Sequence, residues 1–295
     1  MSARKFSFVH VDVFTSRRLE GNQLAVFTDA RGLSDDEMQC LAREMNLAET
    51  TFILPRDEAT ERAEGHKVRI FTVNEELPFA GHPTLGTAWH LKQQANDDEI
   101  VLDLKVGKIP VRFEQRDGLL FGEMRQAEPQ FSETQPHDVV ADVLGVPVGE
   151  LDETLPIQTV STGVPFTIVP FRRLATLQKL TVGWGQIAPY LESIQKSGFF
   201  YFVCRETVNA AATLHARMIF YNGEDPATGS AAGCCTAWAV KHGVLAPEAQ
   251  GLIEQGLEVQ RPSLIYVRGS KSGERVTNIR VGGNVVHVIN GEVTM

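Results

Sequence analysis

Apolar and polar positions alternate along residues 6–14 and again along 24–28, which predicts two strands joined through a loop at Gly21-Asn22. The period then changes. Ser34 opens the string SDDE, a capping box in which serine and glutamate satisfy free amides at a helix start. The predicted helix runs to about Met45, with Met38, Leu41, Ala42 and Met45 on one face. Asn46-Leu47-Ala48-Glu49 leaves that helix and enters an apolar strand at 51–54, and 67–73 reads as another strand. ELPFAGHPTLG follows, with a helix predicted from Pro83 to about Gln93. Two hairpins come next, with turns expected at Val106-Gly107 and Asp117-Gly118. The stretch 127–137 (AEPQFSETQPH) is polar, holds two prolines and has no period, so it is the expected interdomain crossing.

Beyond the crossing the order of features repeats. LPIQTVSTGVPFTIVPF reads as strand, turn and strand, like FVHVDVFTS followed by GNQLAVFT. The strand at 217–221 leads into NGEDPATGSAAG and a helix through Ala237-Trp238 to about Lys241. An offset of 148 positions places Arg69 on Arg217 and Gly81 on Gly229. Ancient duplication is the preferred reading, with domains expected at 1–128 and 138–283. The tail VVHVINGEVTM reads as a hairpin turning at Asn290-Gly291, and a strand within 284–295 is expected to return to the first domain.

Charge narrows the partners. The net charge of -9 repels polyanions, so neither nucleic acid nor an anionic membrane is expected. The first residues lack the apolar core and cleavage site of a signal peptide, and no apolar run approaches the roughly 20 residues of a membrane span. The four cysteines, Cys40, Cys204, Cys234 and Cys235, show no CxxC spacing and read as reduced thiols of a cytoplasmic protein. The histidines show no ligand spacing, so no metal is expected.

The repeated turns carry the chemistry. A glycine turn that opens a helix leaves backbone N–H groups without partners, and aligned peptide dipoles add partial positive charge there. Such a turn binds a carboxylate or phosphate without a basic side chain. Around the first turn, with Gly81, stands His82, a candidate proton shuttle; taken alone, a histidine in a Gly-Pro turn is more often a structural hydrogen bonder. Around the second, with Gly229, stand Asp225, which also reads as a turn or cap residue, and Ser230, a candidate anion-contacting hydroxyl. Glu49 has apolar company in Leu47, Phe52 and Ile53, which suits a carboxylate to proton transfer near neutral pH.

The strings GNQLAVF, NLAETTF, ELPFAGHPTLGTA and GEDPATGSAAG, in this order, resemble the phenazine-biosynthesis isomerase family along essentially the whole chain. That resemblance implies the diaminopimelate-epimerase-like α/β (α+β) fold: two pseudo-symmetric halves, each a curved, mostly antiparallel sheet around a central helix. It implies an active site in the cleft between halves, a homodimer, and no metal, nucleotide or pyridoxal cofactor. By the same resemblance Glu49 transfers the proton, and His82, Asp225 and Ser230 contact the substrate or relay protons. Backbone amides at Gly81 and Gly229 then hold its carboxylate. The implied reaction is isomerisation of a small cyclic or unsaturated carboxylate such as trans-2,3-dihydro-3-hydroxyanthranilate. One departure is GNQ where many relatives carry GNP.

Two other readings stay open. A racemase or epimerase of the same fold uses one thiol on each facing turn, but neither AGHPTLG nor GEDPATGS contains cysteine. A binding protein that retains the fold without turnover is the other.

Overall fold

The computed structural model describes residues 3–195, 198–221 and 223–295; Asn222, at the head of the NGEDPATGSAAG stretch, lies outside them. The chain divides into two compact units, one of Met1–Arg125 with Gly282–Met295 and one of Gln126–Val281. The class is mixed α/β, with many strands and few helices.

The first unit contains β1 (Lys5–Val13), β2 (Asn22–Phe27), α1 (Asp35–Met45), β3 (Thr50–Ile53), α2 (Glu58–Glu64), β4 (His66–Phe71), β5 (Glu76–Leu77), α3 (Gly81–Lys92), β6 (Glu99–Leu104), β7 (Gly107–Arg116) and β8 (Leu119–Arg125). α1 starts with the expected capping box, Ser34 accepting from the Glu37 amide while the Glu37 carboxylate accepts from the Ser34 amide. It buries Met38, Leu41 and Ala42 beside a cluster of Phe6, Phe27, Phe52 and Phe71. Phe27 and Phe52 stack at 4.9 Å, and Phe71 meets Phe52 edge-on at 5.5 Å. α2 escaped the sequence reading because it buries no residue and so has no apolar period, although Asp57 caps it through the Thr60 amide.

The second unit contains β9 (Gln130–Gln135), α4 (His137–Leu144), β10 (Ile157–Ser161), β11 (Pro165–Phe171), α5 (Leu174–Lys179), α6 (Trp184–Gln195), β12 (Phe199–Cys204), β13 (Leu214–Phe220), β14 (Gly223–Glu224), α7 (Gly229–Lys241), β15 (Gly251–Gln255) and β16 (Ser263–Ser272). The stretch 127–137 is therefore not an irregular crossing. It holds β9, which pairs antiparallel with β10 while burying no residue fully, so no alternation is visible in its sequence.

The pairing sequence of one unit recurs in the other. β1–β2 is antiparallel, β2–β3 parallel, β3–β4 and β4–β5 antiparallel, β4–β6 parallel and β6–β7 antiparallel. β10–β11, β11–β12, β12–β13, β13–β14, β13–β15 and β15–β16 follow the same order of senses. Glu76 faces Phe71 in the first series, and Glu224 faces Ile219 in the second. α3 packs against β1, β2, β3, β6, β7 and β8, and α7 against β10, β11 and β16. α7 is buried along nearly its whole length and α3 over Gly81–Ala88, as helices enclosed by protein. Trp238 of α7 is fully buried, donating to the Pro156 carbonyl at 2.9 Å, whereas Trp89 of α3 is only half-buried.

Asp117 and Gly118 both take positive φ, 50° and 79°, as a two-residue hairpin requires. The β6–β7 loop is Lys105-Val106, with Leu104 paired to Gly107, one position earlier than expected. The hairpin expected at Asn290-Gly291 does not form. The last strand, β17 (Arg275–Thr294), runs through both residues, pairing Asn290 with Val9 and Gly291 with Phe8. Gly291 is a glycine for space: a Cβ there would lie 2.3 Å from the Phe8 ring. No helix among the described residues is long and apolar enough to cross a membrane.

Candidate active site

Glu49 stands between α1 and β3. Asn46 ends the helix in the left-handed conformation (φ 49°), its amide bonding the Ala42 carbonyl at 3.2 Å, and the chain turns there towards β3. The Glu49 side chain is 17% exposed, and its Oε2 lies 3.5 Å from Nε2 of His82. His82 is the second residue of α3 and is buried. The Asn22 amide nitrogen sits 3.1 Å from its Nδ1. Asn22 can reach it because Gly21 turns with φ 71°, where a Cβ would lie 2.4 Å from the Val13 carbonyl oxygen. Burial lowers the His82 pKa to about 3, against the opposing effect of a hydrogen bond with the Gln23 backbone. The ring is therefore neutral at physiological pH.

Gly81 and Gly229 open α3 and α7 as first helical residues. Neither helix has a side-chain cap bond, and neither carries an acidic residue in its first turn. The first amides of an α-helix have no intrahelical acceptor, and the helix dipole adds partial positive charge at both starts. Ser230 is the second residue of α7 and half-buried, 148 positions after His82. Asp225 is buried, and Oδ2 accepts from the Thr228 hydroxyl at 2.6 Å. Asp225 thus belongs to the turn, while the cap position falls to Thr228.

Glu49 and His82 are brought together in one unit; Asp225, Gly229 and Ser230 share one turn in the other. Asn22, which the sequence does not single out within GNQ, joins these candidates through its contact with His82. Cys234 and Cys235 are buried inside α7, not in its turn. Burial raises the Cys234 thiol to about 11 and the Cys235 thiol higher still, so neither is a thiolate near neutral pH. Among the described residues no three His, Cys, Asp or Glu side chains converge to hold a metal ion. A surface groove of about 470 Å³ in the second unit, beside Glu150, Arg173 and Thr176, contains none of the candidate residues. Glu150 there is already bound to Arg173 and Thr176.

A mixed α/β protein with uncapped helix turns beside buried acid/base groups is the class that fold and site define. The profile of the family described as phenazine biosynthesis-like protein matches residues 11–291, and the chain belongs to that family. An uncharacterized isomerase of Mesorhizobium japonicum is 37% identical, covering 97% of this chain and 98% of its own. The trans-2,3-dihydro-3-hydroxyanthranilate isomerase of Pseudomonas aeruginosa is 34% identical over 94% of this chain and 95% of its own. Among solved structures, a Bacillus anthracis phenazine biosynthesis protein of the PhzF family superposes with a TM-score of 0.89 at 27% identity, covering 99% of this chain and 100% of that one. The protein is an enzyme of the isomerase class.

Proposed function

We propose that this isomerase moves a proton along a small cyclic or unsaturated carboxylate of the dihydro-3-hydroxyanthranilate kind, without a cofactor. The observation that carries the reading is the Glu49 carboxylate 3.5 Å from a buried, neutral His82 at an uncapped helix start. Glu49 takes a proton from carbon, the electron pair moves along the conjugated system, and a proton returns at another carbon, so the reaction is redox-neutral. Charge that develops on the substrate is met by backbone N–H groups at Gly81 and Gly229. A histidine at a helix start whose charged form is suppressed acts as a neutral hydrogen-bond donor, not as a cation, and His82 takes that role here. Asp225 and Ser230 are the substrate-contacting side chains of the turn ahead of α7. The relative of Pseudomonas aeruginosa named for this reaction supports the substrate class.

The two units are read as pseudo-symmetric halves in the manner of diaminopimelate epimerase. What supports this is the common order of strand pairing and the offset of 148 shared by Arg69 with Arg217, Glu76 with Glu224, Gly81 with Gly229 and His82 with Ser230. The protein then works as a cytoplasmic homodimer.

The test is proton NMR with trans-2,3-dihydro-3-hydroxyanthranilate in D₂O. Wild type is expected to incorporate deuterium, and Glu49→Gln to lose roughly 10²–10⁴-fold in rate, the usual worth of a positioned acid/base. Wild-type rates in Glu49→Gln would remove the mechanism.

A further inference from the structure

Gln255, the last residue of β15, is fully buried and absent from every motif of the sequence. Its amide is used to capacity. Oε1 accepts from the Thr228 backbone amide at 3.1 Å and from the Tyr201 hydroxyl at 2.9 Å. Nε2 donates to the Asp225 carbonyl at 2.7 Å and to the Thr228 hydroxyl oxygen at 2.9 Å. The orientation of the amide has no alternative. A backbone N–H only donates, so it must face oxygen, and a carbonyl only accepts, so it must face nitrogen. The consequence passes to Thr228. Its hydroxyl oxygen receives a proton from Gln255, so its own single proton goes to Oδ2 of Asp225, 2.6 Å away. Tyr201 is fully buried, and burial raises its phenol pKa well above the ordinary value, so it stays a donor.

We infer that Gln255 is a positioning residue of the active site, which aims the Asp225 carboxylate through the Thr228 hydroxyl and fixes the turn ahead of α7. The inference rests on the reading of Asp225 as a member of that site. Gln255 itself touches no reacting atom. The alignment is directional, and a displacement of a catalytic group by about 1 Å is enough to cost on the order of 10²-fold in rate.

Four variants test it in the full-length protein: Gln255→Leu, Thr228→Val, Thr228→Ser and, for assignment, Asp225→Asn. With trans-2,3-dihydro-3-hydroxyanthranilate, Gln255→Leu and Thr228→Val are expected to lower kcat by about tenfold or more with KM changed less than about threefold; Thr228→Ser, which keeps the hydroxyl, restores kcat. The second readout needs no turnover. The carbon-13 resonance of the Asp225 carboxyl, assigned by its loss in Asp225→Asn, is expected to shift at fixed pH in Gln255→Leu and Thr228→Val and to return in Thr228→Ser. Where Gln255→Leu does not fold, the two Thr228 variants carry the test. Folded variants with an unmoved resonance and unchanged kcat would overturn the inference. If wild type leaves the substrate untouched, the proposed reaction fails on its own, and the resonance alone decides: a shift upholds the positioning role and no shift overturns it.

Discussion

Two buried histidines are held in opposite charge preferences by their neighbours. His82 is desolvated at the start of α3, and its pKa falls from the usual 6.5 to about 3. His215 on β13 is also buried, which works against its charged form. Hydrogen bonds from its ring to Glu258 (3.1 Å) and Glu254 (2.9 Å) outweigh that burial, and its pKa is raised. The unfolded chain binds a proton at position 82 that the folded chain refuses, so the His82 contribution to stability is complete above pH 6.5. It is lost as pH falls from there towards 3. His215 contributes fully below its unfolded value and loses that contribution as pH rises through its raised folded value. Urea unfolding at pH 7 and pH 4.5 should therefore show wild type losing roughly 2–3 kcal/mol more than His82→Gln over that interval. Equal losses would mean that His82 is not held neutral. On the alkaline side His215→Gln should have the flatter profile.

At the level of elements, legibility in the sequence followed burial. α1 announced itself through SDDE and an apolar face, and α3 and α7 through glycine turns with small apolar residues behind them. α2 and β9 bury no residue fully, so they left no period to read. Glu49, His82 and Asp225 stood out because strings of their neighbours did. Asn22 and Gln255 make hydrogen bonds that only the fold creates, and a polar residue in a strand looks the same whether it faces solvent or a helix turn. Asn290-Gly291 is the reverse case, a strong local turn signal overridden by pairing with β1. The fold makes its own prediction there. Gly291→Val forces a side chain against the Phe8 ring and should cost roughly 1–3 kcal/mol, the usual range for overpacking. In a Phe8→Ala background the cost should shrink, and a double-mutant cycle by chemical denaturation measures the difference. Additive losses would show that the strand, not the ring contact, demands glycine.

Across the whole molecule, one device recurs. Arg69 on β4 grips Glu76 on β5 with two bonds, of 2.8 and 2.9 Å, and Arg217 on β13 grips Glu224 on β14 with bonds of 2.9 and 2.6 Å. Each grip holds the short strand just ahead of a helix turn, so each stabilises the approach to Gly81 or Gly229. Their surroundings differ. Arg69 and Glu76 are 18% and 21% exposed, and Arg69 also reaches Asp35, which is mostly exposed. Arg217 and Glu224 are 7% and 11% exposed, and the second terminal nitrogen of Arg217 donates to the Leu177 and Leu180 carbonyls at 2.7 and 2.9 Å. Removing Arg217 leaves a nearly buried carboxylate without its partner and takes a donor from the Leu177 and Leu180 carbonyls, which costs roughly 3–5 kcal/mol when a buried pair is broken. Water reaches the first pair more readily and screens it, so its loss costs less. Arg217→Leu should therefore lower the urea midpoint clearly more than Arg69→Leu. Both should lower kcat at temperatures where the variants remain folded, because both loosen a turn that the proposed function assigns to holding the substrate. An equal drop in stability would mean that burial does not separate the two grips, and full activity in either variant would detach that grip from its turn.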